Sequence, residues 1–257
     1  MKLQFSKYQG TGNDFVMIDN LDGQYNGLSI EQIQFLCNRK LGVGADGLIR
    51  ISKDNAADFY VDYFNADGSQ SFCGNGARCS VAFAKELGII ETETTFNAID
   101  GRHTAFIEDG IVRLEMLPVA DVQRAGGDYC LNTGSPHFVH LAAPAERIDI
   151  VEYGKKIRYS ASYIKEGINV NVMRELEQGV VSVETYERGV EDETRSCGTG
   201  VTACALVYKL LNPTTENVTV QTKGGILHVE GKRMQDGFSD IWLSGPAVMV
   251  FGGEIYV

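Results

Sequence analysis

The residues of this chain most able to do chemistry are two cysteines in matching surroundings. Cys73-Gly74-Asn75-Gly76 and Cys197-Gly198-Thr199-Gly200 each lead into small and apolar residues, FCGNGARCSVAFA over 72–84 and SCGTGVTACALV over 196–207. A cysteine preceding a helix sits at the positive end of the helix dipole, among unpaired backbone N–H groups, which increases its thiolate share. The glycines let the backbone approach a ligand closely, and the free N–H groups can hold a carboxylate. One such motif is weak, since a small cysteine packed at a helix start explains it equally well. Two of them can do more. With a carboxylate held between two helix starts and one thiol on each side of its α-carbon, one cysteine removes the α-hydrogen as thiolate. The other returns a proton to the opposite face as thiol. That chemistry inverts a stereocentre, and no cofactor is expected for it.

The elements that must position these cysteines also read twice. Tyr63 precedes Cys73 by 10 places and Tyr186 precedes Cys197 by 11; Gly101 and Gly225 each follow their cysteine by 28. The cysteines are 124 residues apart, close to half of the 257-residue chain. The expected fold is therefore α/β, or α+β, in two pseudo-symmetric halves. Strand-like stretches at 58–64 and 111–117 are rich in β-branched and aromatic residues, and Asn65-Ala66-Asp67-Gly68 and Asp109-Gly110 are turn signals. Helices are predicted from Asn75 to Leu87, stopped by Gly88, and from Thr199 to Leu211, stopped by Asn212-Pro213. Both are apolar nearly all round, so each should be a buried central helix wrapped by a mostly antiparallel sheet, with the site in a cleft between the halves. The expected halves are 1–117 with 246–257, since the terminal GPAVMVFGGEIYV reads as a strand lacking a partner in its own repeat, and 118–245.

Composition narrows the class. The net charge of −11 argues against a nucleic-acid or anionic-membrane partner, which calls for a basic field. The start MKLQFSKYQGTGNDF lacks a secretory apolar core and no apolar run approaches a membrane span, so a cytoplasmic location is expected. Six cysteines there should be reduced thiols, and neither a Cys-x-x-Cys pair nor a His-x-x-x-His pair offers zinc spacing, so no metal is expected. The homo-oligomeric state is left open, with a homodimer among the options.

Eight segments in series carry a resemblance: GTGNDF (10–15), GVGADG (42–47), FNADG (64–68), CGNGARC (73–79), GSPH (134–137), NVNVM (169–173), YERG (186–189) and CGTG (197–200). In this order they resemble the diaminopimelate epimerases, which interconvert LL- and meso-diaminopimelate on the way to lysine and peptidoglycan precursors. The resemblance implies that Cys73 and Cys197 are the two acid/base residues and that Gly74, Asn75, Gly198 and Thr199 hold the reacting α-carboxylate. It implies that Asn13, Asn65, Asn169 and Arg188 bind the distal end of the substrate, with Glu187 near the distal ammonium. His137 and Glu187 would tune the two thiols. Ser135 stands where an Asn is common, which suggests a shorter or water-mediated distal contact. Gly47 stands where some members carry Gln, so a side-chain contact is missing there.

Plainer readings stand beside these. Asn13 and Asn65 suit local backbone bonding in turns, Glu187-Arg188 suits an exposed ion pair, and His137 suits an ordinary loop. Cys37, Cys79, Cys130 and Cys204 read as filler. Gly42-x-Gly44-x-x-Gly47 fits a dinucleotide pattern, but a helix-like segment precedes it and a strand-like one follows, the reverse of the required order. The nearer alternatives are a proline or hydroxyproline racemase of the same fold and a non-catalytic amino-acid binding protein. The former gives Glu187 and Arg188 nothing to bind, and the latter has no use for two thiols.

Overall fold

The computed structural model describes residues 1–257, which divide into two compact units, Met1–Leu114 with Gly245–Val257, and Glu115–Ser244. No helix is long and apolar enough to cross a membrane.

The first unit runs β1 (Lys2–Gly10), β2 (Asn13–Asp19), α1 (Ile30–Cys37), β3 (Gly47–Ser52), β4 (Phe59–Asn65), α2 (Gly74–Glu86), β5 (Glu93–Ala98), β6 (Gly101–Glu108) and β7 (Ile111–Met116). Successive strands from β1 to β7 are neighbours, antiparallel except for β2/β3 and β4/β5. Those two parallel pairs are the ones joined by helices, as a parallel connection must cross over the sheet. The strand Val248–Tyr256 pairs antiparallel with β1 and closes the other edge of this unit. The capping box at Ser29, whose hydroxyl accepts from Gln32 N–H, fixes where α1 starts.

The second unit runs β8 (Val122–Ala125), β9 (Asp128–Asn132), β10 (Pro136–Leu141), α3 (Ile150–Arg158), β11 (Asn169–Glu177), β12 (Val180–Glu187), β13 (Asp192–Thr194), α4 (Gly198–Leu211), β14 (Asn217–Thr222), β15 (Gly225–Arg233) and β16 (Phe238–Pro246). Again two pairs are parallel, β10/β11 across α3 and β12/β14 across α4, and the rest are antiparallel. β13 is an extra short strand hairpinned onto β12. Strand and helix order therefore repeat between the units, as the sequence predicts.

In each unit the sheet wraps one helix. α2 packs against β1, β2, β3, β4 and β6, and α4 against β9, β10, β11, β12, β14 and β15. Small side chains make that possible: Ala77, Cys79 and Ala84 on α2, and Ala203, Cys204 and Ala205 on α4, are buried. Burial on most sides, with only the C-terminal ends at Lys85-Glu86 and Leu211 exposed, fits the largely apolar runs of both helices in sequence. Around GVGADG the order is α1, then β3, which is opposite to that of a dinucleotide site.

Candidate active site

Cys73 is the N-cap of α2, in extended conformation, and its Sγ accepts the Gly76 N–H at 3.5 Å. The Asn13 side chain reaches it from the start of β2. Asn13 Nδ2 donates to Asp46 Oδ2 at 2.7 Å, and a carboxylate can only accept, so Asn13 must turn its Oδ1 toward α2. There Oδ1 lies 3.5 Å from Cys73 Sγ and accepts Asn75 Nδ2 at 3.3 Å. Asp46 is itself held by Arg39 at 2.6 Å, which also grips Asp14 at 2.7 Å beside Lys7. Burial alone would raise the Asp14 carboxyl, but hydrogen bonds and charge from Arg39 and Lys7 outweigh it and hold the group well below the usual range.

Asn65, at the end of β4, makes none of its side-chain bonds to that cluster. Its Nδ2 donates to Ser69 O, Ser69 Oγ and Ser71 Oγ, and its Oδ1 accepts from Tyr63 Oη at 2.9 Å. Gly47 lies directly opposite Asn65 in the β3/β4 register, and a Cβ there would fall 2.5 Å from Tyr63 Cε2. The tyrosine ring occupies the space that a side chain at 47 would need.

Cys197 is the N-cap of α4, with no side-chain capping bond, and its Sγ lies 3.4 Å from Thr199 Oγ1. Behind it stands a polar cluster built on β10, β11 and β12. His137 and Asn171 come from adjacent parallel strands, and Thr185 pairs with Asn171 across β11/β12. Thr185 Oγ1 donates to Asn171 Oδ1 at 2.9 Å, which turns Asn171 Nδ2 toward Phe138 O and His137 Nδ1. His137 Nδ1 is thus the acceptor, and Nε2 carries the proton that it donates to Thr199 Oγ1 at 2.9 Å. The threonine hydroxyl keeps its own proton for Cys197. Burial, and then the Arg188 charge, push His137 down to about 3, so the ring is neutral near neutral pH. Gly200 leaves room for this cluster; a Cβ there would lie 2.5 Å from Asn171 Oδ1.

Asn169 sits two residues before Asn171 on the same face of β11. Its Oδ1 accepts Arg188 N–H at 2.8 Å, and its Nδ2 donates to Ser135 Oγ and Pro136 O. The Arg188 side chain is exposed, donates to Glu166 O at 2.9 Å and to Ser135 Oγ at 3.4 Å, and forms no ion pair. Glu187 Oε2 accepts from Thr194 Oγ1 on β13 at 2.8 Å.

The sequence of this chain matches the family profile described as "Diaminopimelate epimerase" over residues 5–114 and 129–250. A diaminopimelate epimerase of Flavobacterium psychrophilum is 47% identical over 97% of this chain and 98% of the relative. One from Chlorobaculum tepidum is 40% identical over 96% and 98%. The chain belongs to the diaminopimelate epimerase family. Solved structures share the fold alone: a phenazine biosynthesis protein of the PhzF family from Bacillus anthracis (TM-score 0.77, 14% identity, 100% of both chains). A hydroxyproline epimerase from Agrobacterium vitis aligns with TM-score 0.68 and 15% identity over 99% of this chain and 92% of that one.

Each unit thus gathers its own set from the residues that the epimerase resemblance points to. Asn13, Cys73, Gly74 and Asn75 meet in the first, and His137, Cys197, Gly198 and Thr199 in the second, with Ser135, Asn169 and Arg188 joined by hydrogen bonds alongside. Asn65 and Gly47 lie with Tyr63. Residues to which the sequence reading gave no role at the site are Asp46, Tyr63, Asn171 and Thr185, each of which orients a named site residue. Asn171 and Thr185 carried a signal, since both are polar positions within β-rich segments where apolar residues alternate. The thiols of Cys79 and Cys37 are pushed up to about 12 by burial and stay protonated. No group of three or more His, Cys, Asp or Glu gathers in metal-ligand fashion.

Proposed function

We propose that this protein interconverts LL- and meso-diaminopimelate, with Cys73 and Cys197 acting as the two proton carriers and without a cofactor. What carries the reading is the presence, in a member of this family, of a thiol at each of two equivalent Cys-Gly-x-Gly helix starts. The thiolate on one face of the α-carbon takes the α-hydrogen, leaving a carbanion conjugated with the adjacent carboxylate. Backbone N–H groups at Gly74-Asn75 and Gly198-Thr199 stabilise the charge that grows on that carboxylate. The second thiol delivers its proton to the other face, and the reverse reaction exchanges the roles. Arg188, exposed and in no ion pair, is the cation for the distal carboxylate, and Glu187 serves the distal ammonium. Asn169 acts chiefly by holding the Arg188 backbone and Ser135, because both ends of its amide are occupied. Asn13 and Asn65, whose amides are likewise bonded at both ends within the protein, contact the distal end by exchanging one of those bonds for the substrate. Two thiols that must both stay reduced place the reaction in a reducing compartment, the cytoplasm.

The test is incubation with LL-diaminopimelate in D2O, alongside proline, hydroxyproline and glutamate. Deuterium at the α-carbon with conversion to the meso form, and none in the other amino acids, is the expected outcome. Turnover of proline or hydroxyproline in its place would move the substrate to a cyclic imino acid.

A further inference from the structure

Arg78 lies five residues along α2 from Cys73 and is fully buried. A buried guanidinium ordinarily faces a carboxylate, because desolvating an unpaired charge is costly. This one does not. Its Nη2 donates to Thr11 Oγ1 at 3.1 Å and to Asn75 Oδ1 at 3.0 Å, both neutral, while Nε and Nη1 have no hydrogen-bond partner. The backbone closes tightly around it: a Cβ at Gly10 would lie 3.4 Å from Nη2. Several other charges on and beside the elements around α2 are already paired, Lys7 and Arg39 with Asp14, Arg39 with Asp46, Arg50 with Asp62, His103 with Asp100 and Lys2 with Glu254; Tyr8 donates to Glu86. Asp19 accepts the Leu21 N–H and Arg102 donates to Thr95 Oγ1. The ionisable groups that act on the Arg78 charge are the Cys79 and Cys73 thiols, and burial keeps Cys79 protonated. At the equivalent place in α4, five residues after Cys197, stands neutral Thr202, whose hydroxyl donates to Gly198 O at 2.9 Å.

We propose that Arg78 is a positioning residue of the Cys73 half of the site: its guanidinium holds the Asn75 amide against Asn13 and supplies the buried positive charge that the Cys73 thiolate faces. The hydrogen bonds run in one direction, from Arg78 Nη2 to Asn75 Oδ1 and from Asn75 Nδ2 to Asn13 Oδ1, the oxygen beside Cys73 Sγ. Asn13 Oδ1 favours the protonated thiol, which can donate to it. Arg78 and the Gly76 N–H favour the thiolate. Opposed influences of this kind suit a group that must both take and give a proton. The proposal rests on Cys73 as a proton carrier, but its test reads the thiol directly, without substrate.

Iodoacetamide alkylation of Cys73 and Cys197 is followed by peptide mass spectrometry across pH in the wild type, Arg78→Gln and Arg78→Lys. In Arg78→Gln the Cys73 midpoint should rise by about one pH unit or more, a roughly tenfold loss of reactivity near neutral pH. The Cys197 midpoint should stay within a few tenths of a unit, on the order of the assay's precision. Arg78→Lys, which keeps the charge but not the planar fork, should hold the Cys73 midpoint near wild type while lowering kcat more than it raises KM. An unmoved Cys73 midpoint in Arg78→Gln overturns the proposal, as does an equal rise at Cys197. If the Gln variant does not fold by circular dichroism, the Lys variant decides: a Cys73 shift as large as that expected for Gln would also overturn it. Loss of α-deuterium exchange with the alkylation pattern intact would instead count against the function.

Discussion

At the start of α2, Cys73 faces an amide oxygen whose orientation is locked by a carboxylate, with a fixed buried cation five residues behind. At the start of α4, Cys197 faces a hydroxyl fed by a neutral imidazole, with a threonine in the cation's place. The second glycine differs in the same way. Gly76 sits against the ends of Ile49 and Phe15, whereas Gly200 sits against Asn171, His137 and Thr185. Duplication has kept the four-residue pattern and the helix while the surrounding strands have supplied unlike partners. Equal geometry does not require equal electrostatics, and an isomerase that works in both directions has reason to hold its two thiols differently.

The strongest challenge to this pairing is to remove either sulfur. Cys73→Ser and Cys197→Ser should each lower epimerisation by at least about 10³-fold, near the upper end of what one acid/base group contributes. Comparing α-deuterium exchange of the LL and meso isomers in each mutant then shows which face each residue serves. Near-normal epimerisation in either mutant would dissolve the equivalence of the two helix starts.

Alanine at the two second glycines sharpens the contrast in packing. Gly200→Ala drives a methyl onto Asn171 Oδ1 and should cost about 3 kcal/mol, read by urea unfolding. Gly76→Ala meets the flexible end of Ile49 at 3.0 Å and gains helix propensity, so its cost should stay below about 1 kcal/mol. Equal losses would mean that the His137 cluster is no more confining than the apolar wall.

Acid should weaken the imidazole-backed helix start. His137 is held neutral down to about 3, whereas in the unfolded chain it takes up a proton near its ordinary 6.5. The unfolded state therefore binds the extra proton in that window. Stability should fall as pH drops from 6.5 toward 3, by up to about 1.4 kcal/mol per pH unit from this group. The slope of unfolding free energy against pH in wild type and His137→Gln isolates that share, and an unchanged slope would mean that the ring is not buried neutral.

The smallest expected effect belongs to Thr185→Val, which removes the hydroxyl that orients Asn171. A loss of about 1 kcal/mol is expected, with a modest fall in kcat/KM. A gain in stability would show that Asn171 does not depend on Thr185 for its orientation.

Much of this was legible in the chain itself. The repeated Cys-Gly-x-Gly and the apolar runs behind it mark both central helices to within about a residue or two, since capping, helix stops and all-round burial are local properties. The partners of the thiols were not legible in that way. Asn13 turns its oxygen toward Cys73 because Asp46, 33 residues away, occupies its amide nitrogen. Asn171 reaches His137 because two strands 34 residues apart in sequence align in parallel register. Arg78 reads in sequence as one more polar residue in a motif, and only its surroundings reveal a charge without a counter-ion. α1 and α3 occupy the same topological place with no sequence pattern in common, because each need only cover its own stretch of sheet.

The C-terminal strand has a bearing on how the molecule is made. β1 is hydrogen-bonded along nearly its whole length to Val248–Tyr256, which follows the entire second unit in sequence and so is synthesised after it. Every strand of the intervening unit emerges before that partner exists. The sheet around α2 is therefore completed only after the chain of the other unit has been made, and a truncation before Val248 would act first on that sheet.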